Sequence, residues 1–314
     1  MTGSLATVAV VGGGLVGLGW AVVFARGGRA VRLYDVDPGI REAALGRLRA
    51  SVEDMAGYGL VADVEALVSR VTVSDTLAAA VGPADYVQES VFERVDVKTE
   101  ICRDIGAAMR PDAVVGSSSS GIPASAFTAN APNRSRFLIA HPVNPPHLVP
   151  LVELVPAPWT DPDIVPWLRS AMEDLGQVPI VVNKEVEGFV LNRLQGALLN
   201  EAWALYDAGV ASAADIDRTV SDGLGFRWSF MGPFETIDLN APGGIADYAR
   251  RLGPLYHEVA RSRTHPEPWS DALIERVAAE RRTLLPTDGL RDRAGWRDRR
   301  LMALVAHRRG QPKT

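Results

Sequence analysis

The chain has 314 residues, 47% of them hydrophobic and 23% charged, which suits two globular domains with a large core. A formal net charge of −5 gives no general attraction to nucleic acid or an anionic membrane. A single cysteine, Cys102, excludes an internal disulfide framework and fits a reducing cytoplasm; its helix-like surroundings make it structural.

Residues 1 to 25 carry no charged side chain. The start lacks the basic region of a signal peptide. Gly12, Gly13, Gly14, Gly17 and Gly19 interrupt the run, which argues against a membrane helix of about 20 apolar residues. The run reads instead as strand 7–11, a glycine-rich turn and a helix. Further strands are expected at 30–35, 70–73, 86–89, 113–116, 136–140, 151–155 and 178–182, with helix-length stretches between most of them. That rhythm implies a largely parallel sheet covered on both faces. The stretch 38–69 is helical but too long for one crossover, so it is expected as an inserted helical pair. From Gly188 the apolar residues fall at helical period, through Leu191, Leu194, Leu198, Ala202 and Leu205. Gly209 suits a C-cap, and Ser212 three before Asp215 suits a helix start. The fold class expected is α/β: an N-terminal Rossmann-type doubly wound sheet over 1–185, then an all-α domain over 186–314. The arginine-rich stretch 291–309 interleaves Asp292 and Asp298, and reads as a solvated helix with Leu301, Leu304 and Val305 on its other face.

Gly12, Gly13, Gly14, Leu15, Val16 and Gly17 form a GxGxxG between strand and helix. Gly12 permits the tight turn, Gly14 lets a pyrophosphate reach the backbone, and Gly17 lets the helix pack close to the strand. The helix N-terminus then faces the phosphates. Asp35 ends the second strand eighteen residues after Gly17. A carboxylate there accepts hydrogen bonds from the adenosine ribose and repels the 2′-phosphate of NADP, so the cofactor expected is NAD.

His141 follows strand 136–140 inside His141-Pro142-Val143-Asn144-Pro145-Pro146, a rigid turn at a strand carboxyl end. Twelve residues on, Glu153 lies in the apolar run 151–155, where a carboxylate is costly unless paired. A histidine oriented by a carboxylate can take the proton of a secondary alcohol near neutral pH. The serines 117–120 follow another strand and offer polar groups around a reacting oxygen.

With these motifs, SSSSGI, HPVNPPHLVPLVEL, the segment 187–193 (EGFVLNR) and the segment 221–225 (SDGLG), the sequence resembles the 3-hydroxyacyl-CoA dehydrogenase superfamily over nearly its whole length. Within it, the likeness is greatest to the branch of lambda-crystallins and L-gulonate 3-dehydrogenases. The resemblance implies His141 as catalytic base with Glu153, Ser120 as a substrate contact, Asn192 as an active-site amide, and Glu93 and Lys98 as cofactor contacts. It also implies a homodimer, and no metal is expected.

Acyl-CoA members resemble one another in carrying lysines near the CoA phosphates. Here 38–69 contains no lysine, and Pro150 stands where CoA enzymes often have one. The activity expected is therefore oxidation of the 3-hydroxyl of a small hydroxy acid, with L-gulonate first, 3-hydroxybutyryl-CoA second, and carnitine or another 3-hydroxy acid third. Arg227 is the candidate clamp for a free carboxylate. A structural, crystallin-like NAD-binding protein is the reading from a different class. No nucleic-acid or membrane partner is expected.

Overall fold

The computed structural model describes residues 5–263 and 267–311. By internal packing the chain divides into one unit of 1–193 with 294–314 and another of 194–293.

The first unit is built on an eight-stranded sheet in the order β3-β2-β1-β4-β5-β6-β7-β8. The strands are β1 (Thr7–Val11), β2 (Ala30–Tyr34), β3 (Val71–Val73), β4 (Tyr86–Glu89), β5 (Val114–Ser117), β6 (Phe137–Pro142), β7 (Leu151–Pro156) and β8 (Val178–Val181). All eight expected strands are present; β1 and β4 keep the expected bounds, and the other six differ at their ends by one or two residues. Every neighbouring pair is parallel except β6 and β7. Strand alternation explains why both faces are covered. Val8 and Val10 of β1 enter one core with Leu138 and Ala140 of β6, while Ala9 and Val11 enter the other with Phe137 and Ile139.

The crossovers are α1 (Leu15–Arg26), α2 (Pro38–Ala56), α3 (Val64–Val68), α4 (Leu77–Val81), α5 (Val95–Ala108), α6 (Ser125–Thr128) and α7 (Ile164–Asp174). The expected helical pair at 38–69 is α2 and α3. Asp37 caps α2 through the Gly39 N–H, with Pro38 at the first helical position, and Asp63 caps α3 through Ala66. Cys102 of α5 is fully buried, and burial pushes its thiol well above its ordinary pKa.

The second unit is helical. It holds most of α8 (Leu191–Asp207), then α9 (Ala213–Arg218), α10 (Gly225–Trp228), α11 (Pro233–Asp238), α12 (Gly244–Arg261) and α13 (Asp271–Leu284). Gly209 turns the chain after α8 with φ +66°, and the Ser212 hydroxyl caps α9 through the Asp215 N–H. The last helix, α14 (Leu290–Arg309), begins in this unit, but from Ala294 it packs with the first. The expected boundary, with 186–314 as one all-α domain, puts the whole of this helix in the second domain. Met302 is buried in the first unit's core, with Leu301, Val305 and Ala306 against it, while Leu304 is exposed.

Candidate active site

The chain runs from β1 outward to β2 and β3, then returns to β4 on the other side of β1. Such a reversal opens a crevice at the carboxyl ends of the strands. The glycine loop lies there. Gly12 holds φ +108°, and a Cβ on it would run into the Ser90 carbonyl; one on Gly17 would run into the carbonyl of Gly12. Gly14 is exposed, with nothing within 4 Å of a Cβ built on it, and this is the open side on which a pyrophosphate can approach. Leu15 stands on the same open side at 71% exposure, whereas Val16 packs against the core. Asp35 follows β2. Its carboxylate accepts the Gly13 N–H at 2.7 Å and the Asp37 N–H at 2.9 Å, which ties it to the loop and leaves lone pairs for ribose hydroxyls. The loop and its carboxylate fit NAD.

His141 lies within β6 rather than after it, because β7 pairs antiparallel with β6 and prolongs it to Pro142. In that register His141 is directly opposite Glu153. Opposed residues of an antiparallel pair point to one face, so the pairing sets the imidazole against the carboxylate. His141 Nδ1 is 2.7 Å from Glu153 Oε2, and both side chains are buried. The other oxygen, Oε1, accepts the N–H groups of Val190 and Leu191, each at 2.9 Å. Gly188 (φ +74°) and Phe189 (φ +48°) turn the chain so that these two N–H groups converge. Burial opposes the Glu153 charge, but the bonds from His141, Leu191 and Val190 outweigh it and hold the carboxyl below its usual range. An ionised Glu153 makes Nδ1 the protonated nitrogen, and Nε2 is then a bare acceptor.

The four serines form a built structure. Ser117 Oγ donates to Glu89, and Ser118 Oγ accepts from Trp20 Nε1 at 3.2 Å and Gln88 Nε2 at 2.8 Å. Ser119 Oγ lies 2.8 Å from Glu93 Oε1. Ser120 donates to the same oxygen through its N–H at 2.8 Å and its hydroxyl at 3.2 Å, and the Gly121 N–H joins them at 3.2 Å. The Ser120 carbonyl in turn accepts from Asn192 Nδ2. Burial raises the Glu93 pKa, but Lys98 and the bonds from Ser119, Ser120 and Gly121 hold it below the usual range. Lys98 is 1% exposed; its ammonium lies between Glu89 and Glu93.

The structure thus brings Ser120, Glu93, Lys98 and Asn192 into one network, and His141 and Glu153 into a pair. Arg227 belongs to the second unit and is exposed on α10. Sequence reasoning missed Glu89. The signal is weaker than that of Glu153: Glu89 ends a short strand next to another polar residue, Gln88.

Residues 7–186 match the NAD-binding domain of 3-hydroxyacyl-CoA dehydrogenase, and 188–284 match its C-terminal domain. The chain belongs to the 3-hydroxyacyl-CoA dehydrogenase family and is an NAD-dependent dehydrogenase acting on a CH–OH group. It is 39% identical to the lambda-crystallin of Oryctolagus cuniculus over 96% of each chain. It is 40% identical to a 3-hydroxyacyl-CoA dehydrogenase of Gibberella moniliformis over 81% of this chain and 79% of that one. Among solved structures it is similar to a 5-formyl-3-hydroxy-2-methylpyridine 4-carboxylic acid 5-dehydrogenase, an NAD+-dependent dismutase. That likeness has a TM-score of 0.84 and 28% identity, and covers 98% of this chain and 100% of the other.

Proposed function

We propose that the protein oxidises the 3-hydroxyl of a small, free hydroxy acid, with L-gulonate as the substrate it fits best. NAD, when bound, supplies the acceptor for the hydride. His141 Nε2 takes the hydroxyl proton. Glu153 orients the ring through Nδ1 and stabilises the imidazolium that forms. Ser120 and Asn192 are assigned to the substrate oxygen, Glu93 and Lys98 to the nicotinamide end, and Gly12, Gly13, Gly14, Leu15, Val16, Gly17 and Asp35 to the rest of the cofactor. Arg227 is assigned to the substrate carboxylate.

The observation that carries the choice of substrate is the chemistry of α2 and α3. The segment 38–69 holds no lysine and three arginines. Arg41 is engaged with the Asp35 and Val36 carbonyls, and Arg49 with Glu65. Arg47 alone is left facing solvent for a phosphate. The match over nearly the whole chain to an enzyme named for a pyridine carboxylic acid supports a substrate without CoA. The relative named for acyl-CoA matches over a smaller share and supports 3-hydroxybutyryl-CoA as the second reading.

We assign the helical part of the chain to substrate binding and homodimer formation. Its exposed apolar side chains, including Phe226, Phe230 and Phe234, support a second copy as their cover. No helix among the described residues is long and apolar enough to cross a membrane. The single buried cysteine supports a cytoplasmic location.

The test is NADH formation by the purified protein with NAD, comparing L-gulonate, L-carnitine and 3-hydroxybutyryl-CoA. Turnover of gulonate is expected. Turnover of the thioester alone would move the protein to the acyl-CoA reading.

A further inference from the structure

Glu89 ends β4 and is 0% exposed, and no step of the reaction described above uses it. An isolated carboxylate at that depth would be neutral or strongly destabilising. Here both oxygens are engaged. Oε1 accepts the Val91 N–H at 2.7 Å and lies 3.0 Å from Lys98 Nζ; Oε2 lies 3.1 Å from the same nitrogen and accepts the Ser117 hydroxyl. One carboxylate therefore joins the loop after β4, the helix α5 and the end of β5.

The consequence reaches the active-site loop through Lys98. Its ammonium is 3.4 Å from Glu93 Oε2, while Glu93 Oε1 gathers Ser119, Ser120 and Gly121. With Glu89 present, Lys98 is neutralised on its buried side and holds Glu93 by the oxygen that the serine loop does not use. If Glu89 loses its charge, Glu93 is the remaining carboxylate on Lys98. A buried cation then draws Glu93 inward and away from the three groups it organises. A Gln at position 89 could still accept the Val91 N–H through its one oxygen, but it carries no charge and turns the acceptor beside Lys98 and Ser117 into a donor.

We propose that Glu89 is a positioning residue of the dehydrogenase site: it anchors Lys98 so that Glu93 holds the Ser119–Gly121 loop in place. This rests on the reading of Glu93 as a cofactor contact. It explains how Lys98, turned to two carboxylates and 1% exposed, bears on the cofactor, which is by setting Glu93.

The experiment is an NADH titration, followed by protein fluorescence, of the full-length native protein and the variants Glu89→Gln, Glu93→Gln and their double. Thermal unfolding is recorded for each. NADH serves as the probe, so the result does not depend on which hydroxy acid is the substrate. Each single variant should weaken NADH binding about tenfold, and the double variant no more than either single one, because both act through one group. Native affinity in Glu89→Gln, or additive losses in the double variant, would overturn the role of Glu89 alone. Native affinity in Glu93→Gln would overturn the reading of Glu93 and the proposal with it. If Glu89→Gln leaves Lys98 too poorly compensated to fold, the pair Glu89→Gln/Lys98→Met removes both buried charges. That protein should fold and still bind NADH about tenfold more weakly. Native affinity in it would reduce Glu89 and Lys98 to a structural ion pair.

Discussion

The two units of this chain differ most in what they bury. On the first, both faces of the sheet carry closed cores, with Trp20, Phe24, Phe137 and Ile139 among fully buried side chains. Between 194 and 293, the described residues include only two buried ones, Thr236 and Leu273. Large apolar side chains in that stretch face outward instead, Phe226 at 71% and Phe234 at 75%. The sheet unit therefore completes its own core. The helical unit has the periodicity of a buried structure without the burial, and we attribute its missing cover to a second copy.

Matched truncations in the two units would break this comparison most directly. Phe24→Ala should cost about 3–5 kcal/mol of unfolding free energy, because the aromatic side chain leaves a cavity. Phe234→Ala should change the intrinsic stability of the chain by less than about 0.5 kcal/mol and instead raise the dimer dissociation constant. Denaturant titration and sedimentation equilibrium read the two effects. Similar losses of chain stability in both variants would mean that the helical unit has a core of its own.

A second prediction sharpens the account of the first unit. His147 is held down to a pKa of about 4 by burial, with Arg26 adding to the effect, against an ordinary value of 6.5. The neutral ring is the folded form. Its contribution is therefore full above about pH 6.5 and is lost as the pH falls toward 4. The shift corresponds to about 3 kcal/mol. His147→Gln should flatten the pH dependence of the unfolding midpoint across that window. An unchanged slope would show that His147 protonates as readily in the folded state as in the unfolded one.

A smaller effect is expected at the cofactor loop. Asp35→Ala should weaken NAD binding by about tenfold, weaken NADP binding less, and leave subunit association unchanged, since cofactor recognition is assigned to the first unit. Calorimetric titration with both dinucleotides checks this. Equal losses for both would remove Asp35 from ribose recognition.

Much of the first unit is legible in the sequence because its signals are local. Thr7–Val11, the GGGLVG turn and Asp35 each follow from strand alternation, glycine and charge placement. The pair of His141 and Glu153 is legible too, since a carboxylate within an apolar strand needs a partner. Its geometry is not. Only the antiparallel register of β6 and β7 places the two residues opposite each other, and register is a long-range property. Glu89 sends a weaker signal than Glu153, because it follows Gln88 at the end of a short strand, and its partner Lys98 lies on a helix with charged neighbours and looks like part of a solvated face. The apolar face of α14 is legible among its arginines, but the burial of Met302 rather than Leu304 in the first unit's core is not. In the helical unit the sequence conveys period and caps, and it leaves no mark of what covers the exposed apolar side chains.

The account rests on His141 as the group that takes the substrate proton. The most direct test is NADH formation by His141→Asn, set beside NAD binding to the same variant. NAD should bind with native affinity, because Gly12, Gly14 and Asp35 are untouched, while turnover falls by about 10²–10⁴. Unchanged turnover of every hydroxy acid that the native protein oxidises would contradict the mechanism.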